Sequence, residues 1–110
     1  RPLAAEQRPP TAEAPVLTGR QGVAMAFAAA IRLGVPAFNQ GDAGRCRAHY
    51  QSAIESVLVL RPDALSESEQ RLLQLALAES GPQSDLDAAW TLRRAMDRVL
   101  DASTAVGPSL

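Results

Sequence analysis

The chain has no lysine: all 11 of its basic residues are arginine, set against 12 acidic ones, for a net charge of −1 over 110 residues. A near-neutral chain without a basic cluster has no electrostatic footprint for nucleic acid or for an anionic membrane surface. The preference for arginine, together with heavy use of Ala and Leu, reads as the mark of a G+C-rich bacterial genome and carries no mechanism.

Cysteine is almost as scarce. The single Cys46 cannot form an intramolecular disulfide, which leaves the redox compartment undetermined and an interchain bridge, and with it a homodimer, open. Aromatic residues make up 4 % of a chain that is 46 % hydrophobic, so the core must be built from Leu, Val, Ile and Ala, a composition suited to close helix packing. The length fits one domain with one core, and few or no strands are expected. The longest unbroken apolar run, residues 23–31, is too short to cross a bilayer, so no membrane insertion is expected. Glycines follow no phosphate-binding spacing, no serine sits in a nucleophile elbow, and no acidic pair stands isolated in an apolar setting. The pattern points to no enzyme and implies no cofactor.

Proline is concentrated at one end, with four of the eight among the first seventeen residues. Mixed there with Ala, Glu, Gln and Thr, it makes a segment that cannot bury enough apolar surface to order itself, so a disordered linker is expected over residues 1–17. Two origins fit such a segment. It is a mature N-terminus left by signal-peptide removal, tethering a periplasmic or secreted domain, or it is a stretch of ordinary linker in a cytoplasmic chain.

From Thr18 onward the signals are helical. Thr18-Gly19-Arg20-Gln21 has the form of a capping box, and the helix it opens is apolar on nearly every side up to Leu33, which predicts packing on more than one face. Gly34-Val35-Pro36 ends or kinks that helix, because Pro36 lacks an amide and clashes with the carbonyl four residues back, leaving a short helical piece up to Gln40. Gly41 can take a positive φ and Asp42 can cap the next helix, which places a turn there. A second helix runs from about Ala43 to Leu60, with Cys46, Tyr50, Ala53, Val57 and Leu60 on one stripe widened by Ile54 and Leu58. Ser66 and Glu69 form a second capping box, opening a third helix over about residues 67–79 whose apolar residues include Leu72, Leu73, Leu75, Ala76 and Leu77. Gly81-Pro82 stops it. Ser84 or Asp85 caps a fourth helix with the stripe Leu86, Ala89, Leu92, Met96, Val99 and Leu100, and Trp90 on its border. Short connections between such helices favour antiparallel neighbours. The expected fold is therefore all-α: four antiparallel helices, two hairpins closed into a small bundle over residues 18–104, with a frayed tail at 105–110.

Leu33-Gly34, then Gly41-Asp42, a small residue at Cys46, an aromatic at Tyr50 and Ala53 together resemble the pattern of a tetratricopeptide repeat over about thirty residues, 33–62. The sequence departs from that pattern at Pro36 inside the first helix, at Ala37 where an aromatic is expected, and at Pro62, which arrives about one turn late. Ala88, Leu92 and Ala95 repeat the spacing of Cys46, Tyr50 and Ala53, although Gly81 stands farther from Ala88 than Gly41 does from Cys46. The resemblance implies a partner-binding role, with a protein or peptide in the groove between hairpins. It assigns no binding residue, since the matched positions are those that hold a hairpin together.

Two clusters carry candidate chemistry. Asp42, Cys46 and His49 share a helix face at spacings of four and three and could offer oxygen, sulfur and nitrogen to a metal, or Cys46 and His49 a nucleophile and base. With Tyr50 one turn from Cys46, the same region could form a small-molecule pocket. Against a metal, a closed zinc site wants four ligands, the chain has no second Cys or His, and Asp42 already serves as a cap; packing roles for Cys46 and Tyr50 take precedence. The other cluster is Trp90, Arg93 and Arg94 with Asp97: Arg94 lies one turn from Trp90, within stacking reach of its indole, and Arg93 can pair with Asp97. Trp and Arg are the types most enriched at binding hot spots, so this cluster is the candidate partner surface, weighed against a half-buried Trp sealing the bundle. The expected function is thus a non-enzymatic protein or peptide interaction module, with a small-molecule or metal binder using Asp42, Cys46, His49 and Tyr50 as the alternative.

Overall fold

The computed structural model describes residues 18–106. Within them the chain folds into four helices, α1 (Gly19–Asn39), α2 (Ala43–Leu60), α3 (Glu67–Ser80) and α4 (Asp85–Val106), with a short 3-10 turn at Pro62–Ala64 between α2 and α3 and no strand among the described residues. The antiparallel pairs α1/α2 and α3/α4 are two hairpins closed into a bundle. α4 is its central member, packing on α2, α3 and α1, while α3 meets α2 only lightly. The expected linker 1–17 and residues 107–110 of the expected tail lie outside the described residues; Ala105 and Val106 continue α4.

The caps form as the sequence chemistry requires. Thr18 Oγ1 accepts from the Gln21 amide at 3.0 Å while the Thr18 amide donates to Gln21 Oε1 at 2.8 Å. Ser66 and Glu69 repeat that exchange at the start of α3. Ser84, rather than Asp85, caps α4 by accepting from the Asp87 amide at 3.2 Å. The α1/α2 turn has two interlocking parts. Gly41 adopts φ +87°, the Asp42 amide donates to the Ala37 carbonyl at 2.9 Å, and the Gly41 amide donates to that of Phe38 at 3.0 Å, a Schellman closure. The same Asp42 then caps α2, its Oδ1 accepting from the Arg45 amide at 3.0 Å.

Pro36 does not end α1, which runs on to Asn39 with Pro36 inside it. Pro36 and Arg32 are both exposed residues and Pro36 lies in the last turn, so the one bond lost at the Arg32 carbonyl does not end the helix. Glycine is not what stops α3 either. Gly81 has helical angles, φ −49° and ψ −55°, leaving Pro82 to block continuation.

The core is one cluster drawn from every helix. Val23, Phe27, Ala30 and Ala37 come from α1, Ile54 and Val57 from α2, Leu73 and Ala76 from α3, and Leu92, Met96 and Val99 from α4. Small residues are buried among the helices: Gly34 of α1 lies against Tyr50, and Ala88, Ala89 and Ala95 are buried along α4. Several apolar positions face outward instead. Leu60 and Leu86, expected on inner stripes, are exposed, as is Leu75; on α1 Met25 and Leu33 are exposed, while Ala26, Ile31 and Phe38 are partly buried beside its fully buried stripe. α1 is 21 residues long with a mean hydropathy of 1.4 in its most apolar window, long and apolar enough by length and composition to cross a membrane, which the run 23–31 alone understates. In the bundle its stripe Val23, Phe27, Ala30, Gly34 and Ala37 is buried.

Two arginines clasp the ends of the bundle. Arg20 of α1 makes a two-pronged pair with Glu69 of α3, one prong at 2.6 Å, and also donates to Ser103 Oγ of α4 at 2.8 Å and to the Ala64 carbonyl at 3.1 Å. That pairing lowers the Glu69 pKa and raises the Arg20 pKa. At the other end Arg47 of α2 donates to the Ser80 carbonyl at 3.0 Å, the Gln83 carbonyl at 3.2 Å and Asp85 Oδ1 at 2.9 Å. Its guanidinium thus adds a second donor to the Ser80 carbonyl, which also accepts from the Gln83 amide at 3.1 Å, at the C-terminal end of α3 where positive charge is favourable.

Candidate functional site: an apolar cleft beside Trp90

A cleft of about 240 Å³ opens where the last turn of α1, the first half of α2 and the first half of α4 meet. Its walls are mainly apolar: Val35 and Phe38 from α1 and Ala89 and Trp90 from α4 line it, with Cys46 and Tyr50 of α2. Asn39 and Arg93 add the polar margin. The Schellman closure fixes this geometry, since it ends α1 just after Phe38 and turns the chain back so that Cys46 and Tyr50 come alongside.

The indole of Trp90 is held edge-on by Phe38, with ring centroids 5.7 Å apart and planes at 75°, a favourable arrangement for two aromatic quadrupoles. That contact is with Phe38 and not with Arg94, the stacking partner expected from helical spacing. Trp90 keeps 46 % of its surface exposed, so one side of the indole forms the cleft wall while another faces solvent. Tyr50 Oη accepts from Arg93 Nη1 at 3.4 Å, and Arg93 Nε pairs with Asp97 Oδ1 at 3.1 Å, as its spacing predicts. Burial pushes the Tyr50 phenol above its ordinary pKa; the neighbouring Cys46 thiol adds to the rise and the Arg93 guanidinium opposes it.

The two clusters that stand apart in the sequence partly merge here. Cys46 and Tyr50 come together with Trp90 and Arg93 around one cleft, while Asp42, His49 and Arg94 do not line it. Asp42 is occupied as an exposed cap, and among the described residues no group of three or more His, Cys, Asp and Glu side chains is placed to hold a metal. Shared helical spacing sets the backbone positions of Asp42, Cys46 and His49, but of the three only Cys46 lines the cleft. Cys46 is a free cysteine, 1 % exposed, at the wall of the cleft. Sequence reading misses Phe38, Val35 and Ala89. The hydrophobic pair Phe38 and Trp90 joins residues far apart in the chain, and no local spacing signals it.

No known protein family matches the chain, and neither does any curated protein or solved structure. The geometry of the cleft is therefore the guide to its role.

Proposed function

We propose that this chain is a small, non-enzymatic interaction module that docks a partner protein or peptide by receiving one of its apolar side chains in the cleft beside Trp90. The observation that carries this reading is the state of Trp90, propped by Phe38 at the mouth of an apolar cleft with nearly half its surface open. An exposed Trp beside a pre-formed apolar recess is the arrangement in which a partner gains most from burial, and such anchors dominate binding energies. Size favours a side chain over a larger molecule. Pockets for drug-sized ligands run to roughly 300–1,000 Å³, above this cleft's volume of about 240 Å³.

A second reading is a binder of a small apolar molecule. It draws support from Cys46 and Tyr50, which line the cleft and offer a thiol and a phenol to orient such a guest.

The test is selection of a displayed peptide library on the purified chain, with Trp90→Ala as counter-selection, followed by titration of the selected peptides. Trp90 is the only tryptophan, so its emission reports occupancy of the cleft directly. Enriched sequences sharing an apolar anchor, a blue shift of emission on binding, and loss of at least tenfold in affinity for Trp90→Ala support the proposal. Peptides recovered equally by both proteins would overturn it. A bound small molecule in native mass spectra of the purified chain, lost in Tyr50→Phe or Cys46→Ser, would favour the second reading.

A further inference from the structure

Leu86, Trp90, Arg94 and Arg98 succeed one another at four-residue intervals on α4 and are all exposed, so they form one stripe along its outer face. Beyond Trp90 this stripe borders a shallow groove between α3 and α4, lined by Leu72, Leu75, Ala95, Arg94 and Arg98. Glu79 is the one carboxylate in that lining. The arginines Arg20, Arg45, Arg47 and Arg93 each have a carboxylate partner. Among the described residues neither Arg94 nor Arg98 makes an ion pair, and both line this groove together with Leu72 and the exposed Leu75.

We infer that the partner docked by the Trp90 cleft is acidic, an extended segment whose apolar anchor is followed on the same face by two carboxylates that pair with Arg94 and Arg98. This rests on the proposed role of the cleft. The register argues for it: four residues of helix rise about 6 Å, and two residues of extended chain rise about 6.6 Å. Trp90, Arg94 and Arg98 therefore match positions i, i+2 and i+4 of an extended partner, which all point to one side. Each guanidinium offers a planar fork that fits a carboxylate in a two-pronged bond. A basic partner would meet two unpaired arginines and be repelled.

The test uses the full chain and three blocked peptides, each with one leucine followed at the second and fourth positions by glutamate, glutamine or lysine. Binding is read from Trp90 emission. The glutamate peptide is expected to bind about tenfold more tightly than the glutamine peptide at low salt, with the lysine peptide weakest. That preference should vanish in high salt and in the double variant Arg94→Gln, Arg98→Gln, whose thermal melt should match the wild type because both side chains are exposed. Equal binding of the glutamate and glutamine peptides would overturn the acidic partner while leaving the cleft as a docking site. A glutamate preference that survives in the double variant would overturn the assignment to these two residues. Failure of all three peptides to perturb Trp90 would overturn the docking reading and this inference with it.

Discussion

Tyr50 occupies the space that a side chain at position 34 would need: a Cβ placed on Gly34 would lie 2.5 Å from Tyr50 Cε1 and 2.9 Å from Cζ. The ring is buried against Gly34 but borders the cleft, so a side chain at position 34 must displace it toward that space and shift one wall of the cleft. Two opposed effects bear on Gly34→Ala. Helix propensity favours alanine by about 1 kcal/mol, but overpacking a filled site costs about 1–3 kcal/mol. The expected net result is destabilisation, together with a changed Trp90 emission as the displaced ring disturbs the cleft. Gly22 is the control, because a Cβ there meets nothing within 4 Å and Gly22→Ala should stabilise by about 0.5–1 kcal/mol. Thermal melts monitored by circular dichroism separate the two; a Gly34→Ala chain melting as high as Gly22→Ala would mean that the Tyr50 ring moves freely.

Glu69 should make the fold sensitive to acid. Its hydrogen bonds to Arg20 lower its pKa on folding, so the stability it contributes is present above the ordinary glutamate range, about 4.3, and is lost as pH falls through the lower folded value. Glu69→Gln is the informative variant because glutamine preserves the capping box while removing the charge that Arg20 holds. At neutral pH this variant should be less stable by about 1–3 kcal/mol. The gap should close as pH is lowered below about 4. Urea titrations at stepped pH give both values, and a gap that stays constant into acid would show that charge pairing with Arg20 is not its source.

Local chemistry is legible in the sequence and long-range pairing is not. Thr18 with Gln21, Ser66 with Glu69, Asp42 and Gly41 all act within a few residues of themselves, so their roles follow from residue type and spacing. Pro36 does not end α1 because the cost of proline depends on where in the helix it falls, and here it falls in the last turn. Leu60 and Leu86 look inward-facing because periodicity marks an apolar stripe without saying how wide the neighbouring helix is. The candidate site is half legible: Tyr50, Cys46, Trp90 and Arg93 stand out in the sequence, but as two sites. Only the packing of α4 across both α1 and α2 brings them to one cleft.

Tyr50 is the only tyrosine, so its ionisation can be tracked by phenolate absorbance without interference from another tyrosine. Burial raises its pKa, which means that the folded chain holds the phenolic proton more tightly than the unfolded chain does. The linked stability is fully present below the unfolded value, about 10, and is lost as pH rises through the folded one. Wild-type protein should therefore show a late phenolate transition coupled to unfolding, whereas Tyr50→Phe should lack this alkaline limb. A transition at the ordinary phenol value with the fold intact would mean that the Tyr50 hydroxyl is open to water.

Arg47 explains why lysine would be a poor substitute at the other end of the bundle. Its guanidinium reaches the Ser80 and Gln83 carbonyls and Asp85 at once, across the connection between α3 and α4, with the side chain only 20 % exposed. An ammonium keeps the charge but is a point donor and cannot span the same set of acceptors in one plane. Arg47→Ala should cost about 1–3 kcal/mol, and Arg47→Lys should restore less than half of it. Hydrogen exchange gives the sharper measurement, because the Gln83 amide, bonded to the Ser80 carbonyl, should lose protection in both variants while the middle of α4 keeps it in Arg47→Lys. Full rescue by lysine would reduce the role of Arg47 to simple attraction for Asp85 and the end of the α3 dipole.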